Sequence, residues 1–196
     1  MTITNADIVS RLKLLADEHL KADSGSITTA VNSSISDGND YTNSLICFIS
    51  GDNIGVDRVI TSYAIATGTF TFDALTAAVT NIDEFCVVSK GFLSDVAQAT
   101  SIVTNDLRNR GYDVDLFLNF QTQLKELYIY KTIELVCASL MNDGQDQDSY
   151  FVNYERFKKL YEVESSKLIA DYDANEDCNI YVGEENLHIG QVGFLR

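Results

Sequence analysis

The sequence predicts an α+β fold, mainly an α-helical bundle that carries a small inserted antiparallel β module and an extended C-terminal tail. Apolar residues recur at helical spacing near the N-terminus and again after about residue 91, whereas short β-branched runs separated by Gly, Asn and Asp fill the stretch between. We therefore expect a helical body over residues 1–24 and 92–172, the β module over 25–91, and an acidic loop with a C-terminal arm over 173–196.

The first predicted helix begins at Asn5, whose side-chain oxygen can accept a hydrogen bond from an unpaired N–H group of the first turn. The residues that would share one face of this helix are Ile8, Leu12, Leu15 and His19. Residues 21–25 break the pattern, so the helix is expected to end before them.

The β module is predicted from short runs rich in Val, Ile, Thr, Phe and Tyr, each bounded by residues that favour turns. Close spacing of such runs is typical of a small antiparallel sheet or barrel. The expected strands are 27–31, 44–50, 58–66, 70–72 and 85–89.

Three helices are predicted after the β module. The first is capped by Ser94 and stops at Gly111, and the second extends from about 115 to 142 with apolar residues on more than one side. Ser149 is expected to cap the third. The apolar stripe of this last helix consists of Tyr150, Tyr154, Phe157, Tyr161 and Leu168.

Composition and charge limit the function classes. Apolar residues make up 45% of the chain, enough for a sizeable core, and 29 acidic against 14 basic residues give a net charge of −15. Such a charge repels nucleic acid at long range and suits a surface along which DNA passes without sticking. The four cysteines form no C-x-x-C pair, which disfavours a disulfide scaffold or a zinc site. We expect no signal peptide, because residues 1–7 contain no basic stretch followed by an apolar one. We expect no membrane span, because the apolar runs stay far below ~18 residues.

Motifs of the common catalytic sites are missing from the sequence. The two histidines, His19 and His188, lie beside no nucleophile motif, and G-x-S-x-G does not occur. Residues 51–55 contain two glycines but lack the Gly-Lys-Ser/Thr that completes a phosphate-binding loop. We therefore expect no enzymatic activity.

One acidic segment matches the calcium-binding loop D-x-[DN]-x-[DN]-G-x-I-x-x-x-E at most informative positions. Cys178 replaces the glycine of position six, and no convincing helix follows the loop. An acidic surface turn is the alternative interpretation. The candidate calcium ligands are Asp173, Asn175, Asp177, Asn179 and Glu184.

The C-terminal arm carries apolar residues that alternate loosely and have little room to fold back. We expect them to pack against a partner chain, as an added strand or an extended arm. The predicted partner-binding residues are Leu187, Ile189, Val192, Phe194 and Leu195.

Two stretches of the chain carry a family resemblance. Residues 43–72 form a strand–turn–strand cassette, and residues 156–196 run from an aromatic helix through the acidic segment to the end of the chain. Both resemble the head-to-tail adaptor proteins of tailed bacteriophages, also called head-completion or neck connector proteins. Cys178 departs from the pattern, since such tails often carry glycine there.

The resemblance implies a structural virion protein rather than an enzyme. Adaptor subunits form a ring, usually a dodecamer, that docks on the portal protein, contacts the next neck or tail protein and lines the DNA passage without specific DNA binding. Such a protein is made in the host cytoplasm, is located in the virion and has no membrane partner.

Two other functions stay open on the residues alone. The chain could be a calcium-dependent binding module whose β-sheet unit contacts a partner or a carbohydrate, or an enzyme whose site follows no known motif. A large closed ring would separate the adaptor from both.

Overall fold

The computed structural model describes residues 2–35, 38–110, 114, 121–142, 147–167, 169–170 and 187–188. The chain divides into two compact units. The first unit is Thr2–Leu93 and holds the sheet, and the second extends from Ser94 to Arg196 and holds the long helices.

The first unit is built around a seven-stranded antiparallel sheet with the strand order β1-β7-β4-β5-β6-β3-β2. Lys21 is the last residue of one strand and Asn32 follows another that is far from it in this order, yet the Asn32 side chain donates a 2.7 Å hydrogen bond to the Lys21 carbonyl. The sheet is therefore curled into a half-barrel. Its strands are β1 Glu18–Lys21, β2 Ser24–Gly25, β3 Thr29–Val31, β4 Leu45–Phe48, β5 Asp57–Ala64, β6 Thr69–Phe72 and β7 Glu84–Val88.

Aromatic side chains fill the concave side of the half-barrel. Phe48, Phe70 and Phe85 are fully buried, and the rings of Phe70 and Phe85 meet edge to face with centroids 5.4 Å apart. Such ring pairs each add ~0.5–1.5 kcal/mol beyond the apolar area that they bury. Ile46 and Ile60 complete the centre of this core.

The first helix, α1 Asn5–Arg11, packs against β4. Its cap is Thr4, whose hydroxyl accepts the Asp7 N–H while the Asp7 carboxylate accepts the Thr4 N–H. Asn5, predicted as the cap, is instead the first helical residue. The helix buries Ile8 and Val9 and ends at Arg11, so His19 lies in β1 and not on a helix.

The prediction of a mainly α-helical bundle is wrong. The structure is a mixed α/β fold in which a seven-stranded sheet organises the whole first unit. The five expected strands are present, but β1 and β2 were missed. A short 3-10 helix, Lys13–Leu15, follows α1, so apolar residues keep a helical spacing from Ile8 to Leu15. This spacing predicted one continuous helix, although a strand starts at Glu18.

The described residues of the second unit form three long helices. They are α2 Leu93–Asn109, α3 Gln121–Asn142 and α4 Gln147–Lys167. Leu93, the first residue of α2, is also the last residue of the first unit. α3 packs against α4, and the rings of Tyr130 and Phe157 lie 5.9 Å apart between them. The predicted caps Ser94 and Ser149 both fall inside helices. Two short strands, β8 Ile169–Ala170 and β9 Leu187–His188, pair in antiparallel fashion after α4.

Candidate functional site

α4 exposes two large apolar side chains near its start. Phe151 is 55% exposed and Val152 is 64% exposed, although the neighbouring Tyr150 is buried. Arg156 and Lys159 are exposed one and two turns after Val152, and therefore lie on the same side of the helix. We call Phe151, Val152, Arg156 and Lys159 the α4 surface.

A shallow groove of about 540 Å³ extends along this helix. The Arg156 guanidinium lies 5.4 Å from the Phe157 ring, and the Lys158 ammonium lies 5.8 Å from the Tyr154 ring. These cation–π contacts hold both charges along the helix. Three cations and two carboxylates line the groove, together with one apolar side chain: Arg156, Lys158, Lys159, Glu155, Glu162 and Val152.

Polar contacts from α2 and from Arg110, the residue that follows it, hold α4 in place. The Tyr161 hydroxyl donates a 2.8 Å hydrogen bond to Oδ2 of Asp106, and Nη1 of Arg110 donates a 2.9 Å bond to Oγ of Ser165. Burial, followed by the hydrogen bond to Asp106, raises the pKa of Tyr161 well above its usual value. The hydroxyl therefore stays protonated at neutral pH and acts as a hydrogen-bond donor.

A largely buried ion pair on α3 completes this polar network. The Lys131 ammonium lies 2.9 and 3.0 Å from the two carboxylate oxygens of Glu134, and 5.2 Å from the centroid of the Tyr161 ring. Each charge is thus neutralised by a close partner, which is the condition under which buried charges are tolerated. We interpret the network as packing that fixes α4 and leaves its far side free to bind.

The buried thiols have no features of reactive cysteines. Cys47 and Cys86 face each other across β4 and β7, and both are buried. Burial raises the pKa of Cys86 to about 11 and that of Cys137 to about 11, and raises that of Cys47 further. Because the thiolate is the nucleophilic form, these thiols are inert at neutral pH.

The predicted calcium ligands, Asp173 to Glu184, lie outside the described residues, so the structure does not test them. Within the part of the chain that is described, no group of three or more His, Cys, Asp or Glu side chains could hold a metal ion.

His19 lies in the edge strand β1, and its Nε2 atom is 3.6 Å from a carboxylate oxygen of Glu84.

Of the predicted partner-binding residues, Leu187 lies in β9, where it pairs with Ala170. The other members of that set, Ile189, Val192, Phe194 and Leu195, fall outside the described residues.

Sequence reasoning did not single out the α4 surface. The predicted inward stripe holds for Tyr150, Phe157 and Tyr161, which are buried. Tyr154 is only half-buried, and Leu168 lies outside the described residues. Phe151 and Val152 lie beside that stripe and not in it. Two large apolar residues outside the buried stripe are the sequence signal that could have located an exposed binding surface.

No protein-family model, no curated protein and no solved structure matches this chain. Among the described helices, none is long and apolar enough to cross a membrane.

Proposed function

We propose that the chain is a structural subunit of a bacteriophage head-to-tail adaptor, a ring that docks on the portal protein and surrounds the DNA passage. The observation that carries the proposal is the α4 surface, where Phe151 and Val152 are exposed on a helix whose other side is packed. The resemblance of residues 43–72 and 156–196 to adaptor proteins supports this kind of assembly.

An exposed apolar pair favours association. Burying a Val or Phe side chain contributes ~1.5–3 kcal/mol relative to leaving it in water. A ring repeats the same contact at every subunit boundary, and each boundary joins two different surfaces of the chain. The α4 surface would supply one half of such a contact.

The charge of the chain suits the lumen of such a ring. At a net charge of −15, the assembled subunits present an acidic wall to DNA, and like charges keep the genome from adhering during passage. The cations of the α4 surface are then available for contacts between proteins rather than for phosphate.

Native mass spectrometry with negative-stain electron microscopy tests the proposal. The purified chain, alone or mixed with the portal protein of the same phage, is expected to give a closed ring, with a dodecamer as the expected form. A chain that stays monomeric under both conditions, at concentrations well above micromolar, contradicts the proposal.

A further inference from the structure

We propose that the α4 surface is the docking site for an acidic segment of a neighbouring copy, residues 171–185. The inference deepens the proposed function and rests on it for the ring geometry. It specifies the two halves of the contact: apolar and basic side chains on α4, and carboxylates with apolar side chains on the segment.

The α4 surface is unusually rich in basic residues for this chain. Only 14 of the 196 residues are Lys or Arg, yet residues 156, 158 and 159 place three of them within one turn of α4. Their cationic ends line the same groove as Val152. The same groove holds Glu155 and Glu162, so three cations against two carboxylates leave it with a net charge of +1, on a chain whose net charge is −15. Such a surface attracts acidic segments that the rest of the chain repels.

The docking half has the complementary composition. Residues 171–185 hold six carboxylates and no Lys or Arg, and they include the apolar run Ile180, Tyr181 and Val182. The carboxylates match the cations of α4, and the apolar run matches Phe151 and Val152. Both properties are needed, since exposed ion pairs alone contribute little.

The place of the segment in the chain lets it reach another subunit. It follows α4 and is closed at its base by the pairing of Ala170 with Leu187. A closed stretch of this length can extend on the order of 25 Å from its base, whereas packed helices lie only ~8–10 Å apart. Phe151 and Val152 are exposed, so the segment of a second copy can cover them.

Charge reversal tests the docking. The double variant Arg156→Glu/Lys159→Glu is expected to weaken self-association on the order of tenfold or more, because it replaces attraction by repulsion. Its matched control, Lys13→Glu/Arg108→Glu, changes two other exposed cations by the same net charge and should associate like the wild type. Sedimentation velocity at two salt concentrations measures association, and circular dichroism checks that the variants are folded.

A charge swap makes the test specific for the segment. Adding Glu176→Lys/Asp177→Lys to the α4 double variant should restore association, whereas those two segment changes alone should weaken it. Equal association of the wild type and the α4 double variant overturns the docking. If the α4 double variant loses association and the added segment changes do not restore it, the docking is also wrong, because the segment is then not what binds the α4 surface.

Failure of the docking and failure of the proposed function are distinguishable. If the chain forms a closed ring that is insensitive to charge reversal, the adaptor function stands and the docking is wrong. If the chain forms only small oligomers that obey the charge swap, the docking stands and the adaptor ring is wrong.

Discussion

Asn5 and Asp57 are joined by two hydrogen bonds of 2.8 Å, since both the backbone N–H and the side-chain Nδ2 of Asn5 donate to Oδ2 of Asp57. Oδ1 of Asp57 accepts the Ala6 N–H at 3.2 Å, and Oδ1 of Asn5 accepts the Phe92 N–H at 2.7 Å. One buried amide therefore connects the start of α1, the strand β5 and the residue that precedes α2. The contact spans more than fifty residues of sequence, so it forms only when the first unit is complete.

Replacing Asp57 by alanine is expected to destabilise the first unit by about 3 kcal/mol. The change leaves the N–H groups of Asn5 and Ala6 without their acceptor in a partly buried position, and each such loss costs ~1–3 kcal/mol. Urea unfolding followed by circular dichroism measures the effect. Asp52→Ala, at an exposed position, is the control and should stay within ~0.5 kcal/mol of the wild type. Equal midpoints for the two variants would show that the carboxylate of Asp57 does not hold the helix.

Alkaline pH is expected to destabilise the second unit through Cys137. Burial raises the pKa of this thiol from 9.0 to about 11, so the unfolded chain loses the proton at a lower pH than the folded chain does. The stabilisation is fully present below pH 9 and is lost as the pH rises towards 11. Urea unfolding between pH 8 and 11 should show this decline, and Cys137→Ala should make it shallower. An unchanged pH dependence in the variant contradicts the assignment.

The acidic loop from Asp173 to Glu184 is expected to bind calcium weakly, with a dissociation constant on the order of 10⁻⁴–10⁻³ M. Charged ligands supply attraction, whereas Cys178 in the place of glycine opposes the turn. Calorimetric titration of the wild type and of Asp173→Ala decides the matter. Heat in the wild type that disappears in the variant supports the site, and no heat in either protein up to millimolar calcium favours an acidic surface turn.

Truncation after Glu185 is expected to abolish assembly while the helix content of the monomer persists. The deletion removes Leu187, the β9 partner of Ala170, together with the other predicted partner-binding residues. Native mass spectrometry reports assembly, and far-ultraviolet circular dichroism reports helix content. Substitution of the terminal Arg196 by alanine is a mild control that keeps the arm. Assembly that survives the truncation would remove the arm from the interface.

Local pattern was enough to predict most strands of the first unit. Residues 58–66 and 70–72 alternate around turn-forming residues, and β5 and β6 occur there. The missed strand β1 is short and lies at the edge of the sheet, where only its pairing with β7 makes it a strand. Pairing with residues more than sixty positions away is not visible in a local pattern, so the sequence favoured a helix at Glu18.

The candidate site was harder to predict from the sequence than the strands of the first unit. A stripe of apolar residues shows which side of α4 is buried, but not whether Phe151 and Val152 are covered by another part of the chain. That depends on how α2 and α3 pack around the helix, which the contacts of Tyr161 and Arg110 determine. Exposure is a property of tertiary structure, and only the structure could separate these two residues from the core.

The pairing of β8 with β9 determines how the chain would carry mechanical load. Tension applied to the residues after His188 would pass through the hydrogen bonds between Leu187 and Ala170 into the end of α4. While that pairing holds, little of the force reaches the residues between the two strands. In the proposed ring, tension on a tail anchored to one neighbour would therefore leave the proposed docking of the acidic segment on the other neighbour undisturbed.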